Sequence, residues 1–221
     1  MNNTELVVML THNDFTVHNA KEIFEACKDS KAKFWGFKDK GIPVDEMKVL
    51  YQLMKENGKT TILEVVEYTE EKALESAKIA ALCKCDILMG TVYSDAIHQF
   101  CQNNNIKYMP FIGEITERPS VLNGEIDNII AQAKSYIEKG VYGLDLLGYR
   151  YTGDAKTLIS SVVNNIDAPI CVAGSIDSFE RLDEIKSIAP WSFTIGGAFF
   201  DNRFEGSFKE QIDIVCDYIK K

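Results

Sequence analysis

Short apolar segments alternate with longer amphipathic segments along the whole chain. Eight of the short segments are rich in β-branched or aromatic residues and end at a glycine or a polar residue, as strands do. The predicted strands are residues 5–11, 33–38, 60–66, 86–91, 106–112, 142–147, 169–173 and 192–195. Between them, apolar residues recur at helical spacing, as in residues 72–82, 127–139 and 208–219. This alternation predicts parallel strands joined by right-handed helical crossovers.

Eight strand–helix units within 221 residues are typical of a closed barrel. No linker or low-complexity segment divides the chain. We therefore predict an α/β protein with a single (β/α)₈ (TIM) barrel domain over residues 1–221. An open doubly wound sheet is the alternative, but the first strand–helix turn, THND at residues 11–14, lacks the glycines of a dinucleotide-binding turn. Residues 113–125 are predicted to form an irregular loop, either a lid or a solvated surface loop.

Two glycine turns follow the last two predicted strands, with one helix between them. In such barrels the loops after strands seven and eight commonly bind a phosphate group. A glycine has no Cβ, so its backbone N–H group can approach an anion closely, and a guanidinium group matches phosphate geometry. The predicted phosphate ligands are Gly174, Ser175, Gly196, Gly197, Arg150 and Arg203.

Lys38 is the strongest single candidate for catalysis. It shares one face of predicted strand two with Phe34 and Gly36, and that face is apolar enough to point into the barrel. Desolvation at this position would lower the pKa of the lysine. Lys38 would then act as a base, an enolate-stabilising cation or an imine-forming amine. The alternative is a solvated lysine within the charged run Lys38-Asp39-Lys40.

Two acids, Glu64 and Asp145, interrupt apolar strand segments. Burial of an unpaired charge is costly, so each carboxyl group must be paired or functional. Adjacent strands lie about 4.8 Å apart, so Glu64 could reach a Lys38 that faces the same way. The alternatives are a structural ion pair, or a Glu64 that faces the helices. We predict Lys38, Glu64 and Asp145 as the catalytic residues.

The composition of the chain argues against several classes of binding partner. The net charge is −9 without a basic cluster, which argues against nucleic acid and anionic membranes. No apolar stretch approaches the roughly 20 residues of a membrane span, and we expect no signal peptide. Six cysteines scattered through apolar segments predict reduced thiols and a cytoplasmic protein. The three histidines show no metal-ligand spacing, so we expect neither a metal nor a cofactor. The sequence leaves open whether the chain forms a homo-oligomer.

Residues 143–204 resemble the N-acetylmannosamine-6-phosphate 2-epimerases. The runs that carry the resemblance are GLDLLGYRYTG (143–153), APICVAGSI (168–176) and IGGA (195–198). The resemblance implies a phosphate site at the last two strands. That family has a catalytic glutamate and an arginine on either side of the strand-seven glycine, where this chain has Ala173 and Ser175.

The middle of the chain is similar to two other families. LEVVEYT (63–69), ALE (73–75) and GTV (90–92) are similar to the keto-acid aldolases of the 4-hydroxy-2-oxoglutarate and 2-keto-3-deoxy-6-phosphogluconate type. That resemblance implies a catalytic Glu64, with Lys38 substituting for the imine lysine that the family carries on strand six. FKDKGIP (37–43) resembles the strand-two lysine motif of orotidine-phosphate decarboxylases, whose two aspartates are Gly36 and Gly41 here. All three families share the ribulose-phosphate-binding barrel.

Residues and resemblances together predict an enzyme that acts on a small phosphorylated carbonyl compound without a metal. The favoured activity is that of a lyase of the keto-acid aldolase type, working through an enolate or an imine. One alternative is a sugar-phosphate epimerase or isomerase. Another, from a different class, is a non-catalytic barrel that binds a phosphometabolite.

Overall fold

The computed structural model describes residues 4–221 and contains eight parallel strands in the predicted order. Parallel strands buried on both faces read as short apolar runs, which is why the pattern located all eight. Most are shorter than predicted. They are β1 (Glu5–Met9), β2 (Phe34–Lys38), β3 (Thr60–Val65), β4 (Ile87–Gly90), β5 (Lys107–Met109), β6 (Leu144–Leu146), β7 (Ile170–Val172) and β8 (Ser192–Ile195).

The strands form one closed ring. Hydrogen-bonded neighbours run in the order β6-β7-β8-β1-β2-β3-β4-β5. Backbone bonds from Tyr142 N–H to the Tyr108 carbonyl (3.0 Å) and from Asp145 N–H to the Pro110 carbonyl (2.9 Å) join the two ends of this series. A parallel bridge between Phe111 and Asp145 completes the junction. The fold is therefore a (β/α)₈ barrel, and the open-sheet alternative is wrong.

Helices surround the ring and bury an apolar stripe against the outer faces of the strands. They are α1 (Ala20–Cys27), α2 (Val44–Glu56), α3 (Glu70–Leu82), α4 (Asp95–Asn103), α5 (Ile126–Glu138), α6 (Ala155–Asn165), α7 (Phe179–Ile188), the one-turn α8 (Gly197–Phe200) and α9 (Phe208–Lys220). Within residues 4–221, no helix has the length and apolar character that a membrane crossing requires.

Two β-hairpins lie on the rim at the carboxyl ends of the strands. The first hairpin pairs Thr11–His12 with Phe15–Thr16, and the second hairpin pairs Glu114–Thr116 with Val121–Asn123. The second hairpin occupies the segment predicted as an irregular loop, so that prediction is corrected. Its tip is tied to the loop after β3, where the Tyr68 hydroxyl donates to the Glu117 carbonyl (2.9 Å).

The barrel interior has an apolar lower half. We call this half the lower interior, and its fully or almost fully buried side chains are Val7, Ile62, Ile87, Met109 and Cys171. Aromatic side chains pack against it from the amino ends of the strands, where the rings of Phe34 and Trp191 meet edge to face at 5.2 Å. The lower interior is a packed core, so any ligand must enter from the opposite end.

Candidate active site

A cavity of about 390 Å³ opens at the carboxyl ends of the strands. Seven of the nine predicted site residues line it: Lys38, Glu64, Arg150, Gly174, Ser175, Gly196 and Gly197. The tip of the second hairpin adds Pro119 and Ser120 to the wall. Side chains far apart in sequence meet here because all eight carboxyl strand ends lie at one face of the barrel.

Lys38 lies at the floor of the cavity and is held as an ammonium ion. Its side chain is 13% exposed, and its Nζ donates to Asp14 Oδ1 at 2.7 Å. Burial by itself lowers the pKa of Lys38, but the Glu64 carboxylate and the hydrogen bond and charge of Asp14 outweigh burial. The pKa is therefore raised, and the sequence-based prediction of a lowered pKa is wrong.

The first hairpin holds Lys38 at two points. The Thr16 hydroxyl accepts from the Lys38 backbone N–H (3.0 Å) and donates to the Lys38 carbonyl (2.7 Å). Asn13 and Asp14 form the two-residue turn of the hairpin, with φ of 50° and 66°. The same hairpin thus fixes the backbone of Lys38 through Thr16 and its ammonium group through Asp14. The sequence signal for this arrangement was the Asn-Asp turn between two short β-forming pairs.

Glu64 faces the cavity rather than the helices. It pairs in register with Lys38 on β2 and with Met89 on β4, and it lies two residues beyond the inward-facing Ile62. Period-two alternation therefore places its carboxylate on the inner face, beside the ammonium group. Against the effect of burial, the charge of Glu64 helps to raise the pKa of Lys38, but the ion pair that Lys38 makes among the described residues is with Asp14, at 2.7 Å.

Asp145 is fully buried beneath the cavity and does not line it. Neither of its carboxyl oxygens has a hydrogen-bond partner among the described residues. Its neighbour in register on β7 is the buried thiol of Cys171. Burial raises the pKa of Asp145 well above its usual range, the charge of Glu64 adds to this effect, and Lys38 opposes it. The environment therefore favours the protonated carboxyl group.

The turn after β7 brings a glycine against an arginine. Gly174 has φ of 92° and Ser175 has φ of 49°, a conformation that favours glycine at the first position. A Cβ on Gly174 would lie 2.8 Å from Cγ of Arg150, so the glycine lets the arginine cross the turn. This packing directs the 3₁₀ segment Gly148–Arg150, which carries the guanidinium group, to the cavity wall.

The turn after β8 is equally close to its neighbours. A Cβ on Gly196 would lie 2.8 Å from the carbonyl oxygen of Thr11. The first bond of α8 runs from Phe199 N–H to the Gly196 carbonyl (2.9 Å), which leaves the N–H groups of Gly197 and Ala198 without a helical acceptor. These N–H groups and the turn after β7 lie along one wall of the cavity.

Arg150 differs from the other charged groups of the wall. Asp177 pairs with Arg181 at 3.2 Å, and Asp201 pairs with His12 at 3.2 Å. Within residues 4–221, the Arg150 guanidinium takes part in no hydrogen bond or ion pair. Its charge also acts on the floor of the cavity, where it contributes, against the effect of burial, to the lowered pKa of Asp14 and opposes the rise in the pKa of Lys38. Among the described residues of the wall, Arg150 is the cation without a direct partner. Arg203 is exposed beyond α8 and is not part of the cavity wall.

Solved structures of similar fold include several enzymes. Orotidine 5'-phosphate decarboxylase from Pyrococcus horikoshii is 11% identical, with a TM-score of 0.70 over 98% of this chain and 99% of that chain. N-acetylmannosamine-6-phosphate 2-epimerase from Clostridium perfringens is 13% identical, with a TM-score of 0.65 over 90% and 91%. Native KDPGal aldolase is 11% identical, with a TM-score of 0.70 over 97% and 94%. These likenesses establish the fold. The sequence matches no protein-family model and no curated protein sequence.

The cavity thus combines two kinds of site. At its floor an ammonium group and a carboxylate lie on adjacent strands, above a buried carboxyl group that favours its protonated form. Along its wall lie two glycine turns and the Arg150 guanidinium, which has no direct partner in the part of the chain that the structure describes. Across the described part of the chain, no three His, Cys, Asp or Glu side chains come together as ligands for a metal ion.

Proposed function

We propose that the protein transfers a proton at the carbon next to the carbonyl group of a small phosphorylated substrate, as a sugar-phosphate isomerase or epimerase does. One observation carries this proposal. Lys38, held as an ammonium ion, lies beside the Glu64 carboxylate at the floor of a cavity whose wall offers an unpaired Arg150. A base and a fixed positive charge at one point are what enolate formation requires.

The step balances with these two side chains. The C–H bond next to the carbonyl group breaks, and its proton moves to the Glu64 carboxylate. The electron pair of that bond forms the enolate, whose oxygen carries the negative charge beside the Lys38 ammonium. Transfer of that proton from Glu64 to the former carbonyl carbon, while the hydroxyl on the deprotonated carbon passes its proton to the enolate oxygen, gives the isomer. Return to the deprotonated carbon from the same face regenerates the substrate, so an epimerase needs a second proton donor on the opposite face. Lys38 supplies the electrostatic stabilisation that a metal ion supplies in other enzymes.

The phosphate group would bind at the wall. Arg150 has no direct partner among the described residues, and Gly174, Ser175 and Gly197, which line the same space, would offer their backbone N–H groups to the phosphate. Binding energy at the phosphate would hold the carbonyl group at the floor, which is how a remote anion contributes to catalysis.

A lyase of the keto-acid aldolase type is the second candidate, because cleavage of a carbon–carbon bond can give the same enolate. Lys38 is the lysine that lines the cavity among residues 4–221, so it is the amine for an imine route. An imine forms only from the neutral amine, and the raised pKa of Lys38 opposes that form. The geometry therefore favours an enolate route over an imine route for either activity.

Deuterium exchange tests the reaction. The protein is incubated in D₂O with EDTA and with phosphorylated sugars or phosphorylated 2-oxo acids, and the proton next to the carbonyl group is followed by NMR. We expect exchange that Glu64→Gln abolishes, and no borohydride-trapped adduct on Lys38. An adduct on Lys38 would establish the imine aldolase instead. Binding of these compounds without any exchange would establish the non-catalytic barrel.

Binding of inorganic phosphate tests the wall separately. By isothermal titration calorimetry, Arg150→Met is expected to weaken phosphate binding by about tenfold or more, since a charge-assisted contact contributes about 1.5–3 kcal/mol. Arg203→Met is the matched control, because Arg203 lies outside the cavity, and its affinity is expected to equal that of the wild type. Equal affinities for both variants would remove Arg150 from the site.

A further inference from the structure

The first hairpin spans the rim between the wall of the cavity and the end of β2. On the β2 side, the Thr16 hydroxyl bonds the backbone of Lys38, and Asp14 in the turn bonds its ammonium group. On the wall side, the Thr11 carbonyl oxygen would lie 2.8 Å from a Cβ on Gly196, in the turn after β8. Thr11 and Thr16 pair directly across the hairpin. The hairpin is therefore a short bridge from the wall to Lys38.

His12 supplies side-chain contacts on the wall side of this bridge. Its ring stacks on Phe200 of α8, with the ring centroids 5.3 Å apart and an angle of 27° between the planes. Its Nε2 lies 3.2 Å from Oδ1 of Asp201, the residue that follows α8. Because an ionised carboxylate only accepts hydrogen bonds, Nε2 carries the proton of this bond. The stacking and the hydrogen bond both fasten the hairpin to α8.

The other ring nitrogen of His12 faces the turn that holds Lys38. Nδ1 lies 3.5 Å from the side-chain nitrogen of Asn13, and Asn13 precedes Asp14 in the turn. The Asp14 side chain is 49% exposed, so water competes with Lys38 for its carboxylate unless the turn is held in place. His12 can hold the turn, since its ring contacts α8 on one side and Asn13 on the other.

We infer that His12 is a positioning residue that fixes the first hairpin on α8 and thereby keeps the Asp14 carboxylate on the Lys38 ammonium. The inference rests on the proposed function, in which Lys38 stabilises the enolate. Burial lowers the pKa of Lys38, the charges of Glu64 and Asp14 raise it, and the Arg150 guanidinium lowers it. Glu64 is fixed on a barrel strand, whereas Asp14 lies on the hairpin, so Asp14 is the group whose position depends on His12.

The charge of Lys38 can be measured without a substrate, from the pH dependence of its acetylation by acetic anhydride in peptide mass spectrometry. His12→Ala removes the stacking and the hydrogen bond together. We expect the pKa of Lys38 to fall, so that at alkaline pH Lys38 reacts several-fold faster than in the wild type. A larger effect is not expected, because His12 and Asp201 are both partly exposed. Lys31, which lies on the surface, is the internal reference.

Two further variants separate positioning from a general loss of structure. His12→Gln keeps an N–H donor for Asp201 and is expected to restore most of the wild-type behaviour of Lys38. His18→Ala replaces an exposed histidine outside the cavity and is expected to have no effect. An unchanged pH profile of Lys38 in His12→Ala overturns the inference. An equal acceleration at Lys38 and Lys31 also overturns it, because the whole fold would then have loosened.

A double variant tests whether His12 acts through Asp14. Adding His12→Ala to Asp14→Asn should cause no further acceleration at Lys38, since the carboxylate that the hairpin presents is already gone. A further acceleration as large as that of His12→Ala alone would mean that His12 acts on Lys38 by another route, which overturns the inference. An Asp14→Asn variant in which Lys38 reacts as in the wild type overturns it as well.

Deuterium exchange connects the positioning role to the reaction. With a sugar phosphate that the wild type exchanges, His12→Ala is expected to lower kcat several-fold and to change KM by less than about twofold, because Lys38 acts on the enolate more than on the bound substrate. A change in KM alone overturns the inference. Failure of the wild type to exchange any of the compounds sinks the proposed function, and the acetylation of Lys38 then still decides whether His12 positions the hairpin.

Discussion

The two halves of the barrel interior are built from the same strands and differ in almost every other respect. Ile62 and Glu64 lie on the same face of β3, two residues apart. Ile62 is fully buried in the lower interior, whereas Glu64 reaches the cavity above it. A shift of one inward-facing position along a strand thus changes the role of a side chain from packing to chemistry.

The halves also differ in the kind of side chain that they hold. The lower interior consists mainly of aliphatic and sulfur-containing side chains. The cavity above it is lined by charged groups, among them Lys38, Glu64 and Arg150. Variants in the two halves are therefore expected to separate activity from stability.

The largest effect is expected from the loss of the floor ammonium. Lys38→Met should reduce the exchange rate of a sugar phosphate in D₂O by about 10³-fold, because it removes the charge that stabilises the enolate oxygen. The fold should persist, since the strand keeps its backbone bonds to Thr16. Exchange by NMR and unfolding by circular dichroism measure the two properties.

Lys40→Met is the matched control for this variant. Lys40 lies two residues further on, pairs with Glu67 and does not line the cavity. Its loss should leave the exchange rate within about twofold of the wild type, as is usual for surface substitutions. An equal loss of exchange in both variants would mean that general positive charge at the rim matters, and not Lys38.

The next largest effect is expected in the lower interior, where a substitution should reduce stability and leave ligand binding almost unchanged. Ile62→Ala should destabilise the protein by about 2–5 kcal/mol, because it leaves a cavity in a fully packed layer. Its effect on phosphate affinity should be small, since the removed atoms lie below the floor. Urea denaturation and calorimetry at a temperature where the variant is folded measure both. A loss of phosphate binding larger than the loss of stability would show that the two halves are coupled.

Sequence reasoning succeeded where one strand decides the outcome. The inward direction of Lys38 followed from period-two alternation, whereas that of Glu64 was left open, and the glycine turns after β7 and β8 followed from their position after two buried runs. It failed where distant segments meet. The pKa of Lys38 rises because the first hairpin brings Asp14 to it from 24 residues away, and no local pattern contains that contact.

Two other failures have the same origin. The second hairpin has strands of three residues, too short and too polar for its segment to show alternation. Arg203 was grouped with Arg150 because a guanidinium group matches phosphate geometry. The turn of α8 carries Arg203 past the rim, whereas the close contact of Arg150 with Gly174 holds Arg150 at the wall. Backbone packing, which the sequence does not display, decides between the two arginines.

A smaller effect on stability is expected from Asp145→Asn. Most core substitutions destabilise a protein, whereas this one should gain stability relative to the wild type as the pH rises. Because the pKa of Asp145 is raised in the folded protein, the fold retains a proton that the unfolded chain releases above about pH 4. The wild-type fold therefore loses up to about 1.4 kcal/mol per pH unit above that value, until the folded-state pKa is reached. Asp145→Asn does not titrate, so its stability relative to the wild type should rise with pH.

Urea denaturation at several values between about pH 4 and pH 7 measures this difference. The two proteins should be closest at the acidic end, where Asp145 is neutral in both folded and unfolded states. If Lys38 instead kept Asp145 ionised in the fold, Asp145 would be deprotonated in both folded and unfolded states above about pH 4, and the difference between the two proteins would stay nearly constant over this range. The slope therefore decides which charge state Asp145 holds in the folded protein.

The smallest effect concerns the hairpin that distinguishes the upper half from the lower. Asp14→Asn should lower the pKa of Lys38, because it removes the carboxylate that accepts from the ammonium group. At alkaline pH a larger fraction of Lys38 is then the neutral amine, and acetic anhydride should modify it several-fold faster in peptide mass spectrometry. Lys31, which pairs with Asp217 on α9, serves as the internal reference. An unchanged rate at Lys38 would mean that Glu64 alone holds the charge, and the first hairpin would then position only the backbone of Lys38, through Thr16.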